Sequence, residues 1–103
     1  MNKVVRDGLV AVLYSPDYGA GWYTWNLDHP ECLFDPDTVA WVEGGKTQPQ
    51  PDWDAKYGDA YFYSGGASDL MIRWLPQGTQ FRISEYDGHE SVVLAAEEHW
   101  QTA

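Results

Sequence analysis

The chain has 103 residues, 44% apolar and 21% charged, with sixteen acids against six bases and a formal net charge of -10 at pH 7. That length builds one core, so a single domain over residues 1–103 is expected, and the apolar content excludes wholesale disorder. The charge excludes ordinary nucleic-acid and anionic-membrane binders, which need clustered bases, because Lys3, Arg6, Lys46, Lys56, Arg73 and Arg82 are scattered.

Two accounts of the acidity remain. Net charge far from zero keeps a small protein dispersed. Alternatively, an acidic face meets a basic protein surface. Cys32 is the only cysteine, so no intrachain disulfide forms, and a reducing, cytoplasmic setting is expected. The first dozen residues hold no sustained apolar run, which predicts no signal peptide, and no stretch is long enough to span a membrane.

In chain order, apolar runs at 4–5 and 9–14 flank Arg6-Asp7-Gly8. Asp-Gly between apolar runs signals a hairpin, because glycine accepts positive φ. The second run is apolar on both faces, with Leu9, Ala11 and Leu13 opposite Val10, Val12 and Tyr14. Such a strand is central or covered on both sides. Residues 15–21 read as a loop, and residues 22–25 (Trp-Tyr-Thr-Trp) as a strand or its continuation. A turn follows, where Pro30 pushes His29 toward extended backbone.

Asp35-Pro36-Asp37 opens the best helix signal, over about 36–43. Asp35 fits the N-cap, Pro36 the first helical position, and Asp37 the positive end of the dipole. Gly44-Gly45 stops it. Phe34, Val39 and Val42 are expected inward, with Trp41 at the edge. Residues 46–52 (KTQPQPD) read as an exposed connection, and 52–57 as one helical turn capped by Asp52.

The remainder predicts an antiparallel meander, with strands at 60–63, 70–75, 80–86 and 91–94 and turns between them. Leu70, Ile72 and Trp74 share one face of their strand, opposite Met71, Arg73 and Leu75. Phe81 and Ile83 face inward, while Arg82 and Ser84 face out. The acidic tail 95–100 suits a short helix. The sum is an α+β (or mostly β) fold: a twisted antiparallel sheet of five or six short strands carrying one short helix.

Chemistry-bearing clusters are few. Gly19-Ala20-Gly21 follows a strand, as a dinucleotide loop does, but a third glycine and a Lys-Ser/Thr pair are missing, and Asp17 repels phosphate. The plainer role of these glycines is to let backbone pass beside large rings. Tyr14, Tyr18, Trp22, Tyr23 and Trp25 then line a groove, build a core, or divide between the two. Asp28-His29-Pro30-Glu31-Cys32 matches no zinc spacing and reads as surface polar residues beside a buried thiol. Among sixteen acids nothing selects a catalytic pair.

The acids do form groups: Asp28, Glu31, Asp35 and Asp37 around the helix start; Asp52, Asp54 and Asp59; and Glu85, Asp87, Glu90, Glu97 and Glu98. Asp35, Asp52 and Asp87 suit caps and turns. The rest suit an acidic face, which speeds association with a basic partner and loses its effect in salt.

The motif V-R-D-G-x-V-A-V-L-Y-S-P-x-Y-G-A-G-W-Y-T-W-N (residues 5–26), with W-L-P-x-G-T-x-F-R-I-x-E-Y-D-G-x-E (residues 74–90), resembles a group of small proteins of unknown role carried by phages, prophages and mobile elements. The resemblance covers most of the chain and implies a host-directed, anti-defence protein, of which anti-CRISPR proteins are the best-known type. It brings no functional residue with it.

The resulting expectation is a non-enzymatic, acidic inhibitor or adaptor that binds the basic surface of a host protein, without direct nucleic-acid or membrane contact, cofactor or metal. Its candidate anchors are Tyr18, Trp22, Tyr23 and Trp25, and its candidate acids are Asp28, Glu31, Asp37, Glu85, Asp87 and Glu90. A homodimer is left open. The alternatives are a small-ligand binder or sponge that stacks a nucleotide-like molecule in loop 14–25, and a structural component of a phage particle.

Overall fold

The computed structural model describes residues 2–17, 21–58 and 62–97. Strands β1 (Val5–Arg6) and β2 (Leu9–Tyr14) form the expected hairpin, turning through Asp7 at φ 53° and Gly8 at φ 78°. Both central residues lie at positive φ, as a tight hairpin requires. Strand β3 (Met71–Pro76) pairs antiparallel with the other edge of β2, placing Leu13 opposite Ile72 and Val10 opposite Leu75. Strands β4 (Phe81–Tyr86) and β5 (His89–Leu94) make a second, separate hairpin, turning through Asp87 and Gly88.

Among the described residues the fold is therefore α+β, with five strands in two antiparallel sheets rather than one continuous sheet. The turn after β3 sends β4 away from the edge of the first sheet. Laid beside β3, the second hairpin would leave Val10, Val12 and Leu75 in water. Folded over them, it joins Val92, Phe81, Ile83 and Leu94 to a shared core with Leu33 and Phe34.

Strand β2 is covered on both faces. Val10 and Val12 enter the core under the second hairpin, while Ala11 and Leu13 enter another with Trp22, Trp41, Trp53, Tyr57 and Phe62. That second core is made by helices. Helix α1 (Pro36–Glu43) starts where expected: Asp35 caps it by accepting from Thr38 N, and Gly44 ends it. Helix α2 (Trp53–Tyr57) is capped by Asp52, which accepts from Ala55 N at 3.1 Å. The Trp53 indole N–H donates to Thr38 Oγ1 at 2.8 Å, and that hydroxyl donates to Asp35 at 2.5 Å. Lys56 pairs with the same Asp35 carboxylate, so the cap of α1 also holds α2.

Several expectations are corrected. Trp41 is buried rather than at the helix edge, and Val42 is half-buried. Of the two alternatives for residues 22–25, the strand is not formed: residues 23–25 make a turn of 3-10 helix that continues the loop. Of the strand expected at 60–63, residues 60 and 61 lie outside the described residues. Phe62 and Tyr63 are irregular, because the Asn26 side chain takes the place of a strand partner. It accepts from Tyr63 N and donates to Tyr63 O, both at 2.8 Å. The tail begins with a 3-10 turn at Ala95–Glu97, and the rest of the expected helix lies outside the described residues.

Leu13→Ala is expected to lower unfolding free energy by about 2–5 kcal/mol in a urea titration, and Leu9→Ala by less than about 1.5 kcal/mol. The two differ because Leu13 is 0% and Leu9 36% exposed on the same strand.

Candidate functional site

The segment leaving β2 is shaped by one buried carboxylate. Glu90, 1% exposed, donates its backbone N–H to Ser15 O at 2.9 Å. Its Oε1 accepts from Ser15 N at 2.8 Å. Its Oε2 accepts from Trp22 N at 2.9 Å, Thr24 N at 3.0 Å and the Thr24 hydroxyl at 2.7 Å. In an extended strand, N–H groups two residues apart lie about 6.6 Å from each other. Converging on one oxygen curls residues 22–25, which is why they are not a strand.

The curl divides the aromatics. Trp22 points inward, is fully buried, and donates its indole N–H to Cys32 O at 2.8 Å. Its ring meets Trp53 and Phe62 edge-on, at 5.2 and 5.3 Å. Trp25 points outward at 61% exposure, tilted against Tyr63 at 5.7 Å, with Leu27 beyond it at 64%. Gly21 makes room for this: a Cβ there would lie 2.5 Å from Cδ1 of Trp25. Gly66 is needed as well, because a Cβ on it would collide with the carbonyl of Gly21.

The candidate residues sort accordingly. Trp22 and Glu90 are interior rather than on the surface expected of them: the first packs the core and the second is spent on the loop. Tyr18 lies outside the described residues, and Tyr23 is half-buried. Trp25 and Asp28 are exposed on one segment, and Glu85 and Asp87 are exposed on the β4–β5 hairpin. Glu90 brings these two elements together, because it sits opposite Glu85 in the hairpin while bonding Thr24. Glu31 and Asp37 form a separate group near the start of α1, beside Lys56.

Leu27 and Tyr86, the latter 75% exposed, were not among the sequence candidates. Strand parity places Tyr86 on the outward face with Arg82 and Ser84. Glu90 lies one residue before the strand expected at 91–94; β5 begins at His89, and within it Glu90 shares its face with Val92 and Leu94.

The thiol of Cys32 is fully buried. Burial, reinforced by the charges of Glu90, Glu31 and Asp35, pushes its pKa up, the opposite of an activated nucleophile. Burial likewise raises the Tyr57 phenol, with the Asp35 charge adding to it. Among the described residues, no group of three or more His, Cys, Asp and Glu side chains is placed to hold a metal ion. No helix among them is long and apolar enough to cross a membrane. No family model, curated protein or solved structure matches the chain.

Glu90→Gln sets an amide donor against N–H donors in either orientation. It is expected to cost at least about 1–3 kcal/mol in urea unfolding, whereas Glu85→Gln, at an exposed turn, costs under about 1 kcal/mol.

Groups whose values are raised by folding contribute stability below their unfolded values and lose it as pH rises toward the folded ones. The melting temperature is therefore expected to fall above about pH 8.5, where an unfolded thiol ionises, and faster above about pH 10, where tyrosine joins. Cys32→Ala removes the first phase in a thermal scan across alkaline pH.

Proposed function

We propose that the protein acts by binding, as a non-enzymatic acidic inhibitor or adaptor whose partner presents a basic surface. The observation that carries this reading is the outward presentation of Trp25 and Leu27 on a backbone held by Glu90. A large ring on a fixed backbone loses little entropy when covered, and Trp is the residue most enriched at binding hot spots. Asp28 on the same segment and Glu85 and Asp87 on the adjoining hairpin supply negative charge around the anchors.

The distribution of bases favours the same reading. Arg6 pairs with Glu43, and Lys56 pairs with Asp35 and Asp37. Lys46 donates to Ser68 O and Arg73 to Val92 O, while Lys3 sits 4.4 Å from the centroid of the Phe34 ring. None of these engagements is a cluster of bases, and with sixteen acids against six bases the outward field is negative. A nucleic-acid-handling host protein, the kind of target a mobile-element inhibitor has, is the partner class this surface suits.

Binding to immobilised nucleic-acid-handling proteins, measured across a salt series, tests the reading. Affinity is expected to fall as salt rises. Trp25→Ala is expected to weaken it at least about tenfold without lowering the melting temperature. Binding indifferent to both salt and Trp25 would overturn the proposal.

A further inference from the structure

Two pockets meet around α1 and α2, on residues distinct from Trp25 and Leu27. The larger, about 730 Å³, is lined by Ala40, Trp41, Pro49 and Pro51, with Asp37 and Asp52 as its acids. The smaller, about 430 Å³, shares Asp37 and Lys56 and adds Glu31, Asp35 and Tyr57. Both volumes suit small ligands or inserted side chains, and the apolar wall with a few convergent polar groups is the usual composition of such sites.

Three features of the pair point to one kind of occupant. The first is charge. Four carboxylates line the two pockets against one ammonium, that of Lys56. Lys56 is already committed to Asp35, whose side chain is 1% exposed, and its Nζ lies 3.3 Å from Asp37 Oδ2. The side chain of Asp37 is nevertheless 75% exposed and that of Glu31 43% exposed, so negative charge remains open to a ligand.

The second feature is an unused hydroxyl. Tyr57 is 6% exposed and lines the smaller pocket, and its hydroxyl has no hydrogen-bond partner among the described residues. Its ring is fixed by stacking on Phe62 at 4.7 Å. A buried hydroxyl without a partner is uncommon and calls for a donor or acceptor from outside. The third is a preformed wall. The indole N–H of Trp41 donates to Gln48 O at 2.9 Å, which holds the irregular segment 48–51 against the ring.

We infer that the double pocket holds a short basic segment of a partner protein, with an apolar residue against Trp41, Pro49 and Pro51 and an adjacent arginine directed at Asp37, Glu31 and the Tyr57 hydroxyl. Arginine fits better than lysine because its planar guanidinium offers five donors to acceptors that are spread apart. Phosphate and carboxylate ligands are disfavoured by the four acids. The inference shares its partner chemistry with the function proposed above but rests on separate residues, so either can fail alone.

The test is a titration of the ¹⁵N-labelled full chain with acetyl-Leu-Arg-amide, read by two-dimensional NMR. Saturable shifts are expected at the Trp41 indole N–H and the Ala40 and Ala55 amides. Acetyl-Leu-Gln-amide is expected to bind at least about tenfold more weakly, since it lacks the charge-assisted bonds. Asp37→Asn and Tyr57→Phe, neither of which removes a core contact, each weaken the arginine peptide several-fold, while Trp25→Ala leaves it unchanged. Equal binding of the two peptides would overturn the inference in favour of a purely apolar pocket. Shifts centred on Trp25, or no saturable shift at all, would overturn it as well.

Discussion

The carboxylate of Glu90 ties the C-terminal hairpin to the segment that leaves β2, and it does so without a basic partner among the described residues. A charged group taken out of water is costly unless hydrogen bonds replace its hydration. Here four donors do so, three of them backbone N–H groups of Ser15, Trp22 and Thr24. The dependence is mutual. A curled segment of this kind has no ladder of its own, and its buried N–H groups would be orphaned without an acceptor. Ser15 extends the connection to a third stretch of chain, donating its hydroxyl to Gly66 O at 3.0 Å. Residues 15, 21, 66 and 90, far apart in sequence, thus meet at one point, and glycine stands at two of them because backbone passes too close for a side chain.

Strand β2 carries a related constraint. Consecutive residues Val12 and Leu13 belong to different cores, so the strand is the wall between them. On one side the wall meets tryptophans whose polar atoms are also used. Trp22 donates to Cys32 O, Trp41 to Gln48 O and Trp53 to Thr38 Oγ1. Each ring therefore fills volume and fixes a loop or helix at once. The abundance of aromatics does not translate into an equally aromatic surface. Those three rings are interior, and Trp25 is the large exposed one among the described tryptophans.

What was legible in the sequence was local. The doubly apolar pattern of residues 9–14, the Asp-Gly turns and the Asp35-Pro36 helix start are each set by the residues involved, and each appears where expected. The separation into two sheets was not legible, because it depends on which face needs covering and not on any one strand. The 3-10 turn at residues 23–25 was hidden for the same reason: its cause is an acceptor more than sixty residues away. Glu90 was hidden by its chemistry. An acid in an acidic protein invites a surface reading, and the strand expected at 91–94 begins one residue after it. The connection at 46–52 read as exposed because it holds no large apolar residue, yet Pro49 and Pro51 line one pocket with Trp41 once α1 and α2 are placed.

The net charge takes a different meaning once the partners are known. Asp35 and Asp52 are helix caps, Glu90 shapes a loop, and Glu43 holds Arg6. These acids do structural work, and were they the whole account the excess charge would be incidental. Five of the six bases are engaged by groups of their own chain: a carboxylate, two carboxylates, two backbone carbonyls and a ring. Arg82 also has an interaction within the molecule. Cations used this way stabilise local geometry, and Glu85 does the same by accepting from Gly88 N at 2.6 Å, whereas Asp28 and Asp87 are exposed. The same allocation holds the fold together, while a net charge of -10 leaves the exterior field negative.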